Sequence, residues 1–488
     1  MIYIGIDLGT SSVKLLAIDE SGRILASVSR DYPVYYPENG WSEQYPEDWE
    51  TGVFSGLDDL LGKIDRGSVK GISFGGQMHG LVILDSDDKV IRPCILWNDG
   101  RTGRETDYLN NVIGKKRLSE LTGNIAFAGF TAPKLLWIAE NEPDNFSKIE
   151  KIMLPKDYIA YILTGVHSTD YSDASGTLLL DVAGKKWSKE MLDICGINEK
   201  QMPSLFESFE KTGVLKPEIA TRFGLSGVVV AAGAGDNAAA AIGTGTVGNG
   251  ECNVSLGTSG TIFICSDDFH VDGNNALHSF AHADGRYHLM GCILSAASCS
   301  KWWIEDILGQ TDYEKESADI VNLGNNRLFF LPYLMGERSP HNDPNARGCF
   351  IGISAETARR DIIQAVYEGV AFALRDSLEI ARAEGVDVKR TRICGGGAKS
   401  EVWRRIIANV LNLEVDVLNN EEGPALGGAI LAAVASGDFV ELKTEAKRIA
   451  EIKSTVSPDP ETVEKYNKKY EISRTLYPAL KESFAAMR

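Results

Sequence analysis

One short pattern occurs twice, half a chain apart. Leu8-Gly9-Thr10-Ser11-Ser12 follows the apolar run Met1–Asp7, and Leu256-Gly257-Thr258-Ser259-Gly260 follows Glu251–Ser255. Each leads into a second apolar run, Val13–Ile18 in one case and Thr261–Cys265 in the other. A strand, a glycine turn and a returning strand, repeated at half-length, mark two duplicated halves. Further strands are predicted at Ile24–Val28 in the first half and at His278–His282 and His288–Cys292 in the second. At 488 residues the chain is too long for one core, which agrees with two domains.

The first turn has the residues that handle phosphate. Gly9 permits a tight turn, and the N–H and hydroxyl groups of Thr10, Ser11 and Ser12 can face a phosphoryl group. Asp7 can hold a hydrated Mg²⁺, and Lys14 adds a positive charge one strand turn later. An ordinary hairpin favours the same Gly, Ser and Thr, so the turn alone is weak. The second copy lacks the acid, offering Asn253 and Ser255, so the Mg²⁺ side falls to Asp7. A third glycine turn, Gly395–Ala398, follows the strand Thr391–Cys394, and a helix is predicted from Ser400. Glycines there let backbone approach a flat or charged ligand. Two phosphate turns facing one another would grip a nucleoside triphosphate from both sides. Neither GxxxxGK[ST] nor a GxGxxG after the first strand occurs, so a Walker NTPase and a Rossmann dehydrogenase are not supported.

The stretch Val228–Gly245, VVVAAGAGDNAAAAIGTG, begins as a buried strand, turns at Gly233 and Gly235, and presents Asp236 at the start of an Ala-rich helix. An acid there stands at the C-terminal edge of a sheet, where open α/β folds bind ligands. The competing reading is a helix N-cap. Ala238–Ala241 would keep the site dry. Val69–Phe74 is another strand and runs into Gly75-Gly76-Gln77-Met78-His79-Gly80, whose polar side chains could hydrogen-bond a polyhydroxylated ligand without adding charge. A hairpin turning at Asp85–Lys89 then delivers Trp97-Asn98-Asp99-Gly100-Arg101, an indole beside polar groups that suits a sugar. The bland alternative is a Trp core anchor with a surface turn. Residues 115–209 read as mostly helix and loop, and Asp170–Thr177, DYSDASGT, reads as a polar turn of no assigned role. Helices are predicted from Trp49, Val53, Leu57 and Leu60, over Ala358–Glu384, from Leu426 to Ala435 and over Glu461–Arg488.

Formal net charge is −18, which argues against nucleic acid or an anionic membrane surface as partner. The longest apolar run is broken by Asp236, so no membrane span is predicted. MIYIGID reads as a first strand rather than a signal peptide. Eight scattered cysteines without a CxxC pair indicate free thiols in a reducing cytoplasm.

The chain resembles the FGGY carbohydrate kinases of the actin/Hsp70/hexokinase ATPase-fold superfamily over essentially its whole length. IGIDLGTSSVK, GFTAPKLLWIAEN, the stretch Gly352–Gly369, GAGDNAAAAIGTG and GGGAKSEVWRRI all fit the family's patterns. Gln77-Met78-His79-Gly80 points to its xylulokinase branch; in glycerol kinases an Arg-Glu pair stands where Met78 and His79 stand here. The resemblance implies two duplicated ribonuclease-H-like α/β domains around a central cleft, residues 1–244 for sugar and catalytic base and 245–488 for nucleotide. It implies Asp236 as general base, with Met78 and His79 on the ketose and Gln77 and Asn237 nearby. Thr10, Ser11, Ser12 and Lys14 would meet the transferred phosphoryl, and Asp7 would organise Mg²⁺. Gly257, Thr258 and Ser259 would hold the other phosphates of ATP, and Gly396, Gly397 and Ala398 would lie along the adenosine. The expected activity is phosphorylation of D-xylulose to D-xylulose 5-phosphate by a cytoplasmic enzyme, and family members are often homodimers. Rival readings are a kinase for ribulose or another ketose or polyol, an actin-like or chaperone-like switch ATPase, and a catalytically dead sugar sensor.

Overall fold

Both copies of the repeated pattern form a β-hairpin in the computed structural model, which describes residues 1–419 and 422–487. In the first half β1 (Ile2–Leu8) pairs antiparallel with β2 (Ser12–Asp19), which pairs antiparallel with β3 (Ile24–Asp31). On the other side of β1 lies β4 (Val69–Gly76), parallel to it. After β5 (Lys211–Val214), β6 (Val229–Ala231) and the short β7 (Ala234–Gly235) both run parallel to β4. The order is β5-β6-β4-β1-β2-β3, with β7 beside the end of β4.

The second half repeats the plan. β8 (Glu251–Leu256) pairs antiparallel with β9 (Gly260–Ser266). β10 (His278–Ala281) and β11 (Tyr287–Ile293) extend that side. β12 (Arg390–Cys394) lies parallel to β8, β13 (Glu414–Leu418) parallel to β12, and β14 (Ile452–Val456) antiparallel to β13. The order is β10-β11-β9-β8-β12-β13-β14. From β3 across to β5, and from β11 across to β14, the strands follow one plan. The half-length repeat in the sequence is a repeat of topology.

Residues 1–247, 279–287 and 422–450 form one compact unit, and 248–278, 288–421 and 451–488 form the other. The first therefore takes the late helix Pro424–Ala435, which packs against β1 and β4. Nine of its residues are buried, so it is a core helix with apolar residues all round rather than an amphipathic one. It approaches this closely because glycines face it. A Cβ on Gly5 of β1 would strike the carbonyl of Ala425, and one on Gly427 would strike the carbonyl of Ala239 in the helix Asp236–Gly243. Even Gly427→Ala is expected to destabilise the protein, by about 3 kcal/mol from overpacking. Thermal unfolding checks this, and an unchanged Tm would contradict the contact.

In the second unit the helix Arg359–Ala383 packs on Glu401–Leu411, with Tyr367 stacked on Trp403 at 4.3 Å between ring centroids. Ser400 caps the latter helix by accepting from the Trp403 N–H. The C-terminal helix is Pro460–Ala486, and Arg488 of the predicted tail lies outside the described residues.

Three local expectations are corrected. The run Val82–Leu84 before the Asp85–Lys89 turn pairs with Lys151–Met153; the expected turn closes, through the Leu84–Val90 bridge and the backbone bonds from Asp85 N–H to Lys89 and from Ile91 N–H to Ile83, but among the described residues no second strand follows it to complete a hairpin. The region 115–209 carries short strands between its helices, including Ser168–Asp170 paired with Ser204–Phe206. Asp170–Thr177, read as a polar turn, is a buried strand end and helical turn. Asp170 ends a strand, Tyr171–Ser175 is a helical turn, and Asp170, Ser172, Asp173, Ser175 and Thr177 are all buried.

Candidate active site

Three parallel strands end side by side in the first unit. Asp7 on β1 lies level with Gly75 on β4, and Gly235 on β7 lies level with Gly76. Asp7 and Asp236 thus rise on either side of β4, two strand spacings or about 10 Å apart at the backbone. Gln77, Met78 and His79 continue from β4 between them.

Gly233 makes the turn into β7 with φ of +77°, a conformation that glycine adopts freely. Asp236 is then the first residue of the helix Asp236–Gly243, and Gly235 occupies the N-cap position. From this first helical position the carboxylate reaches the second amide of the helix. Its Oδ1 accepts from the Asn237 N–H at 2.7 Å and from the Asn237 side-chain amide at 2.9 Å. Burial pushes Asp236 up to about 6, against those two bonds, which pull it down. Asp7 is pushed up to about 7, first by burial and then by the charge of Asp236. Lys14 opposes that rise and Glu422 adds to it. Lys14 sits opposite Asp7 in the hairpin, and its ammonium forms an ion pair with Glu422.

The Gly9–Ser12 turn is fastened through its carbonyls. The Tyr32 hydroxyl donates to the Gly9 carbonyl at 2.5 Å, Gln44 donates to that of Thr10 at 2.6 Å, and the Tyr32 N–H donates to that of Ser11 at 3.1 Å. The Gly9 N–H closes the turn on the Ser12 carbonyl at 3.0 Å. With these carbonyls committed to the protein, amides and hydroxyls are what the turn can offer a ligand.

Gln77 is buried beneath this turn. Its N–H donates to the Leu8 carbonyl at 2.8 Å and its side-chain amide to Gln44 at 2.9 Å. Met78 is also buried and lies against Gly176 and Gly235. His79 has φ of +70°, a left-handed backbone that a non-glycine residue holds only when its surroundings impose it. They do: its ring stacks on Phe130 at 4.7 Å, its Nδ1 meets the Gly176 carbonyl at 2.7 Å, and its own carbonyl accepts from Thr131 and Lys134. Buried Lys134 is a site neighbour that sequence reasoning did not single out, and burial pulls it down to about 7.

The loop Trp97–Arg101 divides in two. The Trp97 indole is 42 % exposed and donates to the Thr10 hydroxyl at 3.0 Å, which places an aromatic face beside the turn. Asp99 and Arg101 are committed elsewhere. They form a buried pair at 2.7 Å, and the guanidinium lies over Trp41 at 3.7 Å from the ring centroid. Asp99 and Arg101 of that expected sugar loop are therefore structural.

In the second unit the turns at Gly257–Ser259 and Gly396–Ala398 come together. A Cβ on Gly395, whose φ is +89°, would stand 2.7 Å from the Leu256 carbonyl, and one on Gly397 would stand 2.9 Å from the Leu256 side chain. The Thr258 carbonyl accepts from Ala296 N–H at 2.9 Å and Ser298 Oγ at 2.7 Å. Among the described residues nothing lies within 4 Å of where a Cβ on Gly396 would stand. Among the described residues no group of three or more His, Cys, Asp or Glu is placed to hold a metal ion, and no helix is long and apolar enough to cross a membrane.

Comparison with known proteins accounts for both units. Residues 2–243 match the FGGY family of carbohydrate kinases, N-terminal domain, and residues 252–436 match its C-terminal domain. The xylulose kinase of Escherichia coli (strain K12) is 40 % identical over 492 residues, spanning 98 % of this chain and 99 % of its own. A ligand-bound xylulose kinase from Lactobacillus acidophilus superposes with a TM-score of 0.95 at 28 % identity, covering all of both chains. A gluconate kinase from the same organism superposes with a TM-score of 0.94 at 29 % identity, over 100 % of this chain and 99 % of its own.

Proposed function

The chain belongs to the FGGY family of carbohydrate kinases, and from that premise we propose that it phosphorylates D-xylulose at the expense of ATP, with Asp236 as general base. The observation that carries the assignment of the base is the placement of Asp236. It is a carboxylate at a strand end whose affinity for a proton burial has raised to about 6, near the value that suits a base at neutral pH. Asp236 takes the proton of the attacking hydroxyl. That oxygen forms a bond to the terminal phosphorus of ATP, the bond from phosphorus to the bridging oxygen breaks, and ADP leaves. The products are D-xylulose 5-phosphate and ADP. Such a transfer needs positioning and charge stabilisation more than covalent catalysis.

The remaining residues divide the work. His79 and Met78 shape the sugar end, with Asn237 holding the Asp236 carboxylate and Gln77 bracing the turn from below. Thr10, Ser11 and Ser12 turn N–H and hydroxyl groups to the transferred phosphoryl, and Lys14 adds charge there. Gly257, Thr258 and Ser259 take the other phosphates, and Gly396, Gly397 and Ala398 leave room along the adenosine. The donor set suits Mg²⁺: a single hard carboxylate, Asp7, in a setting that raises its proton affinity. Mg²⁺ commonly binds through one or two protein carboxylates, with water and substrate phosphates completing its shell. When bound it neutralises phosphate charge. The free cysteines, all eight of them, fit a reducing cytoplasm.

The same fold serves a gluconate kinase, so the acceptor needs a direct test. ADP release is measured with Mg-ATP and D-xylulose, D-ribulose, glycerol and gluconate in turn. The expected result is sugar-dependent release with kcat/KM highest for D-xylulose. Preference for another acceptor overturns the substrate, and sugar-independent release overturns the kinase. A base must be deprotonated to act, so kcat/KM is expected to fall about tenfold per pH unit below a break near 6. A profile flat down to pH 5 contradicts the role of Asp236.

A further inference from the structure

The backbone turn that delivers Asp236 is held at three places by one buried cluster. The Gly235 N–H donates to Ser172 Oγ at 3.1 Å, the Gly233 N–H donates to the Ser208 carbonyl at 3.0 Å, and the Ala232 carbonyl accepts from Lys156 Nζ at 3.4 Å. All three holders converge on Asp170. Ser172 Oγ donates to its Oδ2 at 2.5 Å, Ser208 Oγ donates to the same oxygen at 2.7 Å, and Lys156 Nζ lies 2.9 Å from Oδ1. Asp170 also accepts from the Ser172 N–H at 2.8 Å and the Asp173 N–H at 3.4 Å, which fixes the helical turn Tyr171–Ser175 on it.

We propose that Asp170 is the hub that positions the catalytic turn, with Ser172 as its relay to the backbone of Gly235. This gives Asp170 and Ser172 a role in the kinase reaction, and it rests on the reading of Asp236 as the base. Neither residue meets substrate: Asp170 is 0 % and Ser172 1 % exposed. Serine suits the relay because one hydroxyl can accept from an N–H and donate to a carboxylate at the same time. The chain of bonds runs Gly235 N–H to Ser172 O–H to Asp170. It fixes the amide immediately before Asp236, from which the carboxylate swings. A carboxylate that must reach a hydroxyl proton in the transition state loses rate when its backbone drifts, even if substrates still bind.

Thr177 supplies the control. Its buried hydroxyl also donates once, to the Ala174 carbonyl at 2.6 Å, and accepts once, from the Leu179 N–H at 3.0 Å, but it does not touch the turn. Ser172→Ala and Thr177→Val each remove one such hydroxyl, and Asp236→Ala is measured beside them. Ser172→Ala is expected to lower kcat about tenfold with the KM values for sugar and ATP within about threefold of the parent. Thr177→Val is expected to keep kcat within about threefold while losing a similar amount of Tm, since each variant gives up comparable hydrogen bonds. A Ser172→Ala enzyme with parental kcat, beside an inactive Asp236→Ala enzyme, overturns the hub and leaves the base standing. Equal kcat losses in the two hydroxyl variants, tracking Tm, reduce the cluster to stability and also overturn it. An active Asp236→Ala enzyme removes the base itself, and the hub falls with it.

Discussion

Asp236→Asn is expected to lower kcat by about 10³-fold while leaving the KM values for sugar and ATP within a few-fold. Asparagine keeps the size of the side chain and can still accept from Asn237, so the helix Asp236–Gly243 should stand unchanged. What it cannot do is take a proton. General-base catalysis is worth about 10²–10⁴-fold. The turn that carries Asp236 makes three bonds to the cluster around Asp170, and those remain in the variant. Steady-state kinetics at saturating sugar and Mg-ATP check the prediction, with a thermal scan to show that the fold is intact. A variant within tenfold of the parent would mean that another group takes the proton.

Lys156→Met is expected to cost about 3–5 kcal/mol of stability, which is the usual result of removing one partner from a buried ion pair. The ammonium is fully buried and lies 2.6 Å from Asp157, 2.9 Å from Asp170 and 3.6 Å from Asp173. Those three carboxylates are buried as well. Among the described residues neither oxygen of Asp173 has a hydrogen-bond partner. Burial raises the proton affinity of Asp157 and Asp173, and the charge of Lys156 works against that rise. Methionine fills the volume but leaves the carboxylates facing one another without a cation.

The pH dependence of this loss has a definite sign. A carboxylate held above its unfolded value stabilises the fold less as pH rises from the unfolded value through the folded one. Removing Lys156 lifts the folded values further, so the deficit should be larger at pH 8 than at pH 5. Thermal unfolding of parent and variant at both pH values checks this, and the expected Tm loss is about 5 °C at the higher pH. An equal loss at both pH values would mean that the lost packing of the lysine stem, rather than its charge, sets the cost.

Much of the site was legible because its parts are local. A strand, a glycine turn and a second strand can be read from about fifteen residues, and both copies fold as read, with Gly9 and Gly257 at the turns. The sheet-edge reading of Asp236 came from the same kind of signal: an apolar run, glycines and one acid opening a helix. Motif spacing does not report what a side chain touches once it is folded. Asp99 and Arg101 look like ligand groups in sequence, but they are buried against each other beneath Trp41. Gln77 looks like a sugar contact, yet its amide donates to Gln44, which in turn donates to the Thr10 carbonyl. A buried polar group must be paired, and which partner it finds depends on burial rather than on residue type.

The amino-acid sequence by itself determined the duplicated α/β plan, the positions of the glycine turns and the acid that opens the helix Asp236–Gly243. Those follow from short-range sterics and from the periodicity of apolar residues, which any stretch carries within itself. Tertiary structure alone decided that the helix Pro424–Ala435 completes the core beside β1 and β4. It alone decided that DYSDASGT is a buried hub rather than a polar turn. The bond from Gly235 to Ser172 joins residues 63 positions apart. Asp170 and Lys156 carry charges that belong at a surface until the fold brings them together, and their ion pair with the hydrogen bonds Asp170 accepts from Ser172 and Ser208 makes burial tolerable.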